Sequence, residues 1–152
     1  MRLVVFDLDG TITYGDTLLP YVTGFLARAR RSRLRLARLL PTLAAFAAGT
    51  ADHGAVKSAL IRGTLGGATR EQLAAWTQEF VPQVIQGSRP AALQMIQAHR
   101  EAGDRLVLMS ASTDLYVPRI GEALGFDEVI CTGIAFDESG RLQGALRTAN
   151  RR

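Results

Sequence analysis

Two aspartates one residue apart, Asp7 and Asp9, end the apolar run Leu3-Val4-Val5-Phe6 in MRLVVFDLDGTIT. Residues i and i+2 of an extended chain point to the same side, so both carboxylates can face one site. Carboxylates that close repel unless a cation or a shared proton lies between them. Mg²⁺ is such a cation: hard, oxygen-ligated and commonly shared with a substrate phosphate. A second group, Ser110-Ala111-Ser112, follows another apolar run, RLVLM at Arg105 to Met109. With a helix expected to begin near Thr113, a hydroxyl and free backbone N–H groups at its start make an anion site. A nucleophilic carboxylate, a second carboxyl to move a proton and a phosphate cradle together describe phosphoryl transfer through an aspartyl-phosphate. A solvated strand-ending turn is the competing reading of Asp7 and Asp9, and the serine motif weighs against it.

Both motifs need strand ends to carry them. Leu3 to Asp7 reads as a strand buried on both faces, as in a parallel sheet, with Gly10 supplying the turn after it. From Asp16 to Gln86 the pattern is helical. Asp16 or Thr17 caps a first helix toward Arg31, and Leu34 to Ala48 forms a second, kinked or broken at Pro41. Gly49 stops it. His53 to Arg62 forms a third, closed by Gly63. Thr69 caps a fourth, with Gln72 placed for a capping box and Pro82 as a kink. Pro90 opens a helix through Ala102; Arg105 to Met109 is a second buried strand. Thr113 to Leu124 is a helix, irregular at Pro118, and Glu128 to Cys131 a third strand. Ile134 to Phe136 and Arg141 to Leu146 form a hairpin across Asp-Glu-Ser-Gly. Strands alternating with helices indicate a Rossmann-like parallel α/β sheet. The long helical stretch exceeds a single crossover and reads as an inserted helical cap. The division is a core of residues 1–14 and 88–152 and a cap of residues 15–87.

At 152 residues, 47% hydrophobic and 21% charged, the chain is globular and long enough to bury a core. The apolar start is too short for a signal peptide, and no run of about 18 charge-free apolar residues exists for a membrane span. The single Cys131 excludes an internal disulfide and fits a cytoplasmic protein. Cys131 itself ends an apolar strand, as a core residue does. The charge of +4 is unevenly sourced: Arg28, Arg30, Arg31, Arg33, Arg35 and Arg38 lie in one segment, and Lys57 is the only lysine. A solvated helix face is the plain reading. With Leu34, Leu36, Leu39, Leu40 and Phe46 nearby, the segment can also lie on an anionic membrane surface. Basic residues are not interleaved with aromatics, which argues against nucleic acid.

DLDGT after an apolar strand resembles the first motif of the haloacid dehalogenase-like (HAD) phosphohydrolases, and LVLMSAS their second. The stretch from Ser110 to Leu146 is similar to the phosphoserine-phosphatase-like branch, which also carries a helical cap between these motifs. The resemblance implies Mg²⁺-dependent phosphomonoester hydrolysis of a phosphorylated small molecule. Asp7 would be the nucleophile and Asp9 the general acid/base. Mg²⁺ would be held by the Asp7 carboxylate and the Asp9 carbonyl, and the phosphoryl oxygens by Gly10, Thr11, Ser110 and Ala111.

The family also has a lysine motif and a later acidic pair that completes the metal shell. No lysine follows Lys57, and no carboxylate side chain follows Glu138. The expectation is a truncated HAD-like core, inactive or weakly metal-binding, with the first strand at an unpaired edge through which copies can associate. A lipid-phosphate phosphatase at the inner membrane face and a non-catalytic binding module are the alternatives. His53 and His99 lack metal-ligand partners at suitable spacing, and Ser110 and Ser112 lack a nucleophile elbow. Trp76 and Phe80 read as packing partners, Asp114 as a helix cap, and Lys57 and Arg62 as cap residues able to meet a substrate anion.

Overall fold

The computed structural model describes residues 1–31 and 33–147. The last five residues assigned to the core therefore lie outside the described residues. Strand β1 (Leu3–Asp7) pairs in parallel with β2 (Arg105–Thr113), and β2 with β3 (Glu128–Thr132). The order β1-β2-β3 places β1 at a sheet edge, within the expected α/β class.

Helices α5 (Pro90–Glu101) and α6 (Val117–Leu124) pack against β2 and join Phe6, Leu106 and Leu108 to Ile96 and Ile120 in one buried cluster. Burial of β1 is one-sided, a departure from the two-sided burial expected. Phe6 is inside, whereas Leu3 and Val5 are 65% and 51% exposed. The period-2 alternation of a strand puts Phe6 toward the helices and Leu3, Val5 and Asp7 on the other side.

Between β1 and β2 lie α1 (Leu18–Arg28), a 3₁₀ segment (Arg33–Leu39), α2 (Leu40–Ala47), α3 (His53–Leu65) and α4 (Arg70–Gln86). The break at Pro41 is present as a change from 3₁₀ to α-helix, with proline in the first turn of α2, where no N–H is needed. Helix α3 passes through Gly63 instead of stopping there, because Thr64 and Leu65, beyond the expected stop, are fully buried. Asp52 caps it, accepting the Ala55 N–H at 2.7 Å. Thr69 and Gln72 form the expected capping box of α4. Trp76 and Phe80 pack together, with ring centroids 5.7 Å apart, and Tyr21 and Tyr116 complete the stack. A Cβ on Gly24 would fall 2.3 Å from the Trp76 ring, so glycine is what lets α1 approach α4. Helix α2 contains no buried residue. Among the described residues no helix is long and apolar enough to cross a membrane.

The hairpin β4 (Ile134–Phe136) and β5 (Leu142–Leu146) turns through Asp137, whose Oδ1 accepts the Ser139 and Arg141 N–H groups at 2.9 Å each. It lies against α3: Ser58 Oγ donates to the Gly144 carbonyl at 2.7 Å, and a Cβ on Gly144 would sit 2.7 Å from the Arg62 nitrogen. Pro118 lies in the first turn of α6, where it starts the helix and does not distort it.

Candidate active site

The register of β1 against β2 sets Asp7 opposite Met109, the residue before Ser110. The two motifs thus meet at the carboxyl ends of adjacent parallel strands, the place where open α/β sheets bind ligands. Beyond Asp7 the chain enters a wide turn over Leu8–Ile12, closed by the Thr13 N–H on the Leu8 carbonyl at 3.0 Å. Gly10 has φ 84° in this turn, a left-handed conformation that L side chains rarely adopt. Its N–H donates to Thr13 Oγ1 at 3.4 Å.

The turn gives the two aspartates different partners. Asp9 is part-buried, and four donors converge on it. Oδ1 accepts the Thr17 N–H at 2.7 Å and the Thr17 hydroxyl at 2.6 Å. Oδ2 accepts the Ser112 hydroxyl at 2.8 Å and the Ser110 hydroxyl at 3.2 Å. Asp7 is exposed, and its one side-chain hydrogen bond is from the Thr11 hydroxyl at 3.3 Å. Asp9 and Ser110 are brought into direct contact, and Asp7 and Thr11 form a second pair.

The serine motif does not sit at a helix start as expected. Strand β2 shifts register between Met109 and Thr113 and then resumes pairing, Thr113 with Thr132, so the chain stays in the sheet and α6 begins only at Val117. Ser110 and Ser112 are buried, and the Ser112 N–H donates to Ser110 Oγ at 3.0 Å. Asp114 is likewise not a cap of α6. Its carboxylate accepts the Ile134 N–H and the Arg147 guanidinium, each at 3.0 Å, and so ties the strand end to the hairpin.

Three more residues reach the surroundings of Asp9: Thr17 and Lys57, both named above, and Tyr116, which the sequence reading missed. Thr17, weighed as a helix cap, instead holds Asp9, and Asp16 takes the capping bond from the Leu19 N–H at 2.9 Å. Thr17 Oγ1 is also 2.9 Å from the Tyr116 hydroxyl. Since the Thr17 hydrogen goes to Asp9, Tyr116 is the donor in that pair. Burial pushes the Tyr116 phenol far above its ordinary value. Lys57 reaches from α3 to donate to the Ala111 carbonyl, between the two serines. Burial lowers its ammonium from the ordinary value, and Asp9 and Asp16 pull in the opposite direction. Arg62, by contrast, is exposed beside the hairpin. His99 bonds Asp104 at 2.9 Å and His53 lies against Phe46, both structural arrangements. No spacing rule links residues 17, 57 and 116 to Asp9; only the tertiary fold does.

Among the described residues no group of three or more His, Cys, Asp and Glu side chains is placed to hold a metal. The donors left are the open Asp7 carboxylate and the Asp9 backbone carbonyl. They suit a largely hydrated Mg²⁺, which characteristically keeps several waters and takes one or two carboxylates.

A model of the haloacid dehalogenase-like hydrolases matches residues 4–151. Protein CicA of Caulobacter vibrioides (strain NA1000) is 33% identical over 148 residues, which cover 95% of this chain and 64% of that protein. A protein of unknown function from Bordetella pertussis Tohama I superposes with a TM-score of 0.74 at 27% identity, covering 96% of this chain and 66% of its own. A phosphoserine phosphatase bearing an analogue of its phospho-aspartyl intermediate has the same fold, with a TM-score of 0.59 at 16% identity over 95% of this chain and 62% of that one. In each case this chain spans less than two thirds of the other's length.

Proposed function

The chain belongs to the haloacid dehalogenase-like hydrolases, and from that premise we propose that it hydrolyses phosphomonoesters of small molecules through an aspartyl-phosphate on Asp7. The observation that carries this reading is the unequal treatment of the two aspartates. Asp7 is open to an incoming group, whereas Asp9 is fixed by four hydrogen bonds beside it.

An Asp7 carboxylate oxygen attacks phosphorus, and the ester P–O bond breaks. Asp9 gives its proton to the departing alcohol oxygen. Water then attacks the phosphorus of the aspartyl-phosphate and loses its proton to Asp9, and the acyl P–O bond breaks to release phosphate and the Asp7 carboxylate. Thr17, Ser110 and Ser112 aim Asp9 in both half-reactions. Their hydroxyls both donate and accept, so one of them can rotate to accept when Asp9 carries the proton. The Asp7 carboxylate and the Asp9 carbonyl would hold Mg²⁺, which would supply the charge neutralisation that an anionic substrate needs beside an anionic nucleophile. Gly10, Thr11, Ser110 and Ala111 form the phosphate-binding surround. Hydrolysis of p-nitrophenyl phosphate tests the reading. The activity should require Mg²⁺ and fall at least roughly a thousandfold in Asp7→Asn; equal activity in that variant contradicts it.

A second observation favours an interfacial substrate, a phosphorylated lipid at an anionic membrane surface. Leu34 and Leu40 are 80% and 64% exposed, and Leu43 and Phe46 are exposed beside them. Arg30 and Arg38 are exposed in the same segment. Arg28 and Arg31 serve the fold instead, Arg28 pairing with Glu79 and Arg31 donating to the Thr64 and Gly66 carbonyls at 3.2 Å each. The side chain of Arg33 lies outside the described residues.

A further inference from the structure

We infer that Lys57 binds the anionic group of the substrate, making helix α3 one wall of the phosphate site. The inference rests on the phosphohydrolase reading of Asp7 and adds a residue contributed from outside the sheet. Three observations support it.

The first is position. The Lys57 ammonium donates to the carbonyl of Ala111, and the residues on either side of Ala111 donate their hydroxyls to Asp9. A cation on that carbonyl therefore stands at the carboxyl end of β2, one strand from Asp7.

The second is residue type. The chain uses arginine for every other basic position and lysine only here. A guanidinium is a flat fork suited to bidentate partners, whereas an ammonium is compact and carries three donors. Three donors let one ammonium serve a phosphoryl oxygen alongside protein acceptors such as the Ala111 carbonyl.

The third is electrostatics. Lys57 is half-buried, and burial disfavours its charge while Asp9 and Asp16 favour it. An arriving dianion adds to the favourable side, so the desolvated ammonium gains more from it than a solvated one does. Arg89, a basic side chain at the turn after β1, is engaged with the Thr13 carbonyl at 3.3 Å and the Tyr14 ring at 4.5 Å.

The single lysine makes the test site-specific. Apart from the amino terminus, Lys57 is the only primary amine, so its acylation rate can be read by mass spectrometry of one peptide. With magnesium chloride present, inorganic phosphate should slow Lys57 acylation saturably and leave the terminal amine unchanged. Titration calorimetry of the same protein should give a matching affinity. Lys57→Met should bind phosphate about tenfold more weakly, the loss of one charge-assisted hydrogen bond, with an unchanged circular dichroism spectrum. Phosphate binding by calorimetry without Lys57 protection, or equal binding by the folded Lys57→Met variant, overturns the role of Lys57 alone. Absence of both heat and protection overturns the phosphate-site reading along with it.

Discussion

At the scale of single residues, Asp9 is the most constrained side chain of the site, and Thr17 supplies two of its four hydrogen bonds. The same threonine accepts from Tyr116, so its hydroxyl links the carboxylate to a buried phenol. Thr17→Val keeps the shape and the backbone N–H but removes one Asp9 hydrogen bond and one of the two hydroxyl partners of Tyr116, Ser112 being the other. Unfolding in denaturant should show a loss of about 1–3 kcal/mol. The kcat for p-nitrophenyl phosphate should fall about tenfold with KM little changed, as expected when a positioning contact made in the transition state is removed. Thr17→Ser should restore most of kcat; an unaltered kcat in Thr17→Val would limit Thr17 to a structural role. The positions of Asp7, Asp9 and Ser110 were legible in the sequence because each ends or closely follows an apolar run. Thr17 was not, because a threonine before a helix reads first as a cap, and nothing local shows that Asp16 takes that bond.

At the scale of elements, order and type were legible where punctuation is strong. Gly49, the Thr69–Gln72 capping box and the Asp-Glu-Ser-Gly turn all fall where composition sets them. The start of α6 and the outer face of β1 were not, because both depend on partners. Thr113 stays in the sheet by pairing with Thr132, and Val5 is exposed by lying on the face away from α5 and α6. The contact between α1, α4 and the segment before α6 is aromatic, with Tyr21 and Tyr116 rings 4.6 Å apart. Burial pushes the Tyr21 phenol from its ordinary 10.0 up to about 12, against the bond with Thr77, and pushes Tyr116 higher still. A raised folded-state value means that stability is complete below the unfolded value of 10.0. As pH rises past it, the unfolded chain releases protons that the fold retains. Stability should therefore decline between pH 10 and about 12, by about 1.4 kcal/mol per pH unit for each phenol. Thermal midpoints measured across that range should fall steeply in the parent protein and less steeply in Tyr116→Phe. Parallel curves would show that the phenol is not the source.

At the scale of the whole molecule, charge and exposed apolar surface coincide on one segment. The sequence located six arginines between residues 28 and 38, but only the structure shows that Arg28 pairs with Glu79 and Arg31 with the Thr64 and Gly66 carbonyls. Helix α2 buries nothing, which a hydropathy pattern alone cannot reveal in a segment rich in leucine and alanine. A helix that offers leucine and phenylalanine beside arginine suits the boundary of an anionic bilayer. The protein should float with phosphatidylglycerol vesicles and not with phosphatidylcholine, and added salt should weaken the association. Leu40→Asp with Leu43→Asp should reduce flotation at least about tenfold without lowering the thermal midpoint, since both side chains are exposed. Lipid-independent behaviour would return the substrate to soluble phosphomonoesters.

The covalent role of Asp7 is tested most directly by trapping. The protein is mixed with p-nitrophenyl phosphate and Mg²⁺, quenched in acid during turnover, and reduced with borohydride, which converts an aspartyl-phosphate to homoserine. Peptide mass spectrometry should then find the reduced residue at position 7, with Asp9 unmodified and no such product in Asp7→Asn. Turnover without reduction at position 7, or reduction at another carboxylate, would contradict the assignment of Asp7 as the nucleophile.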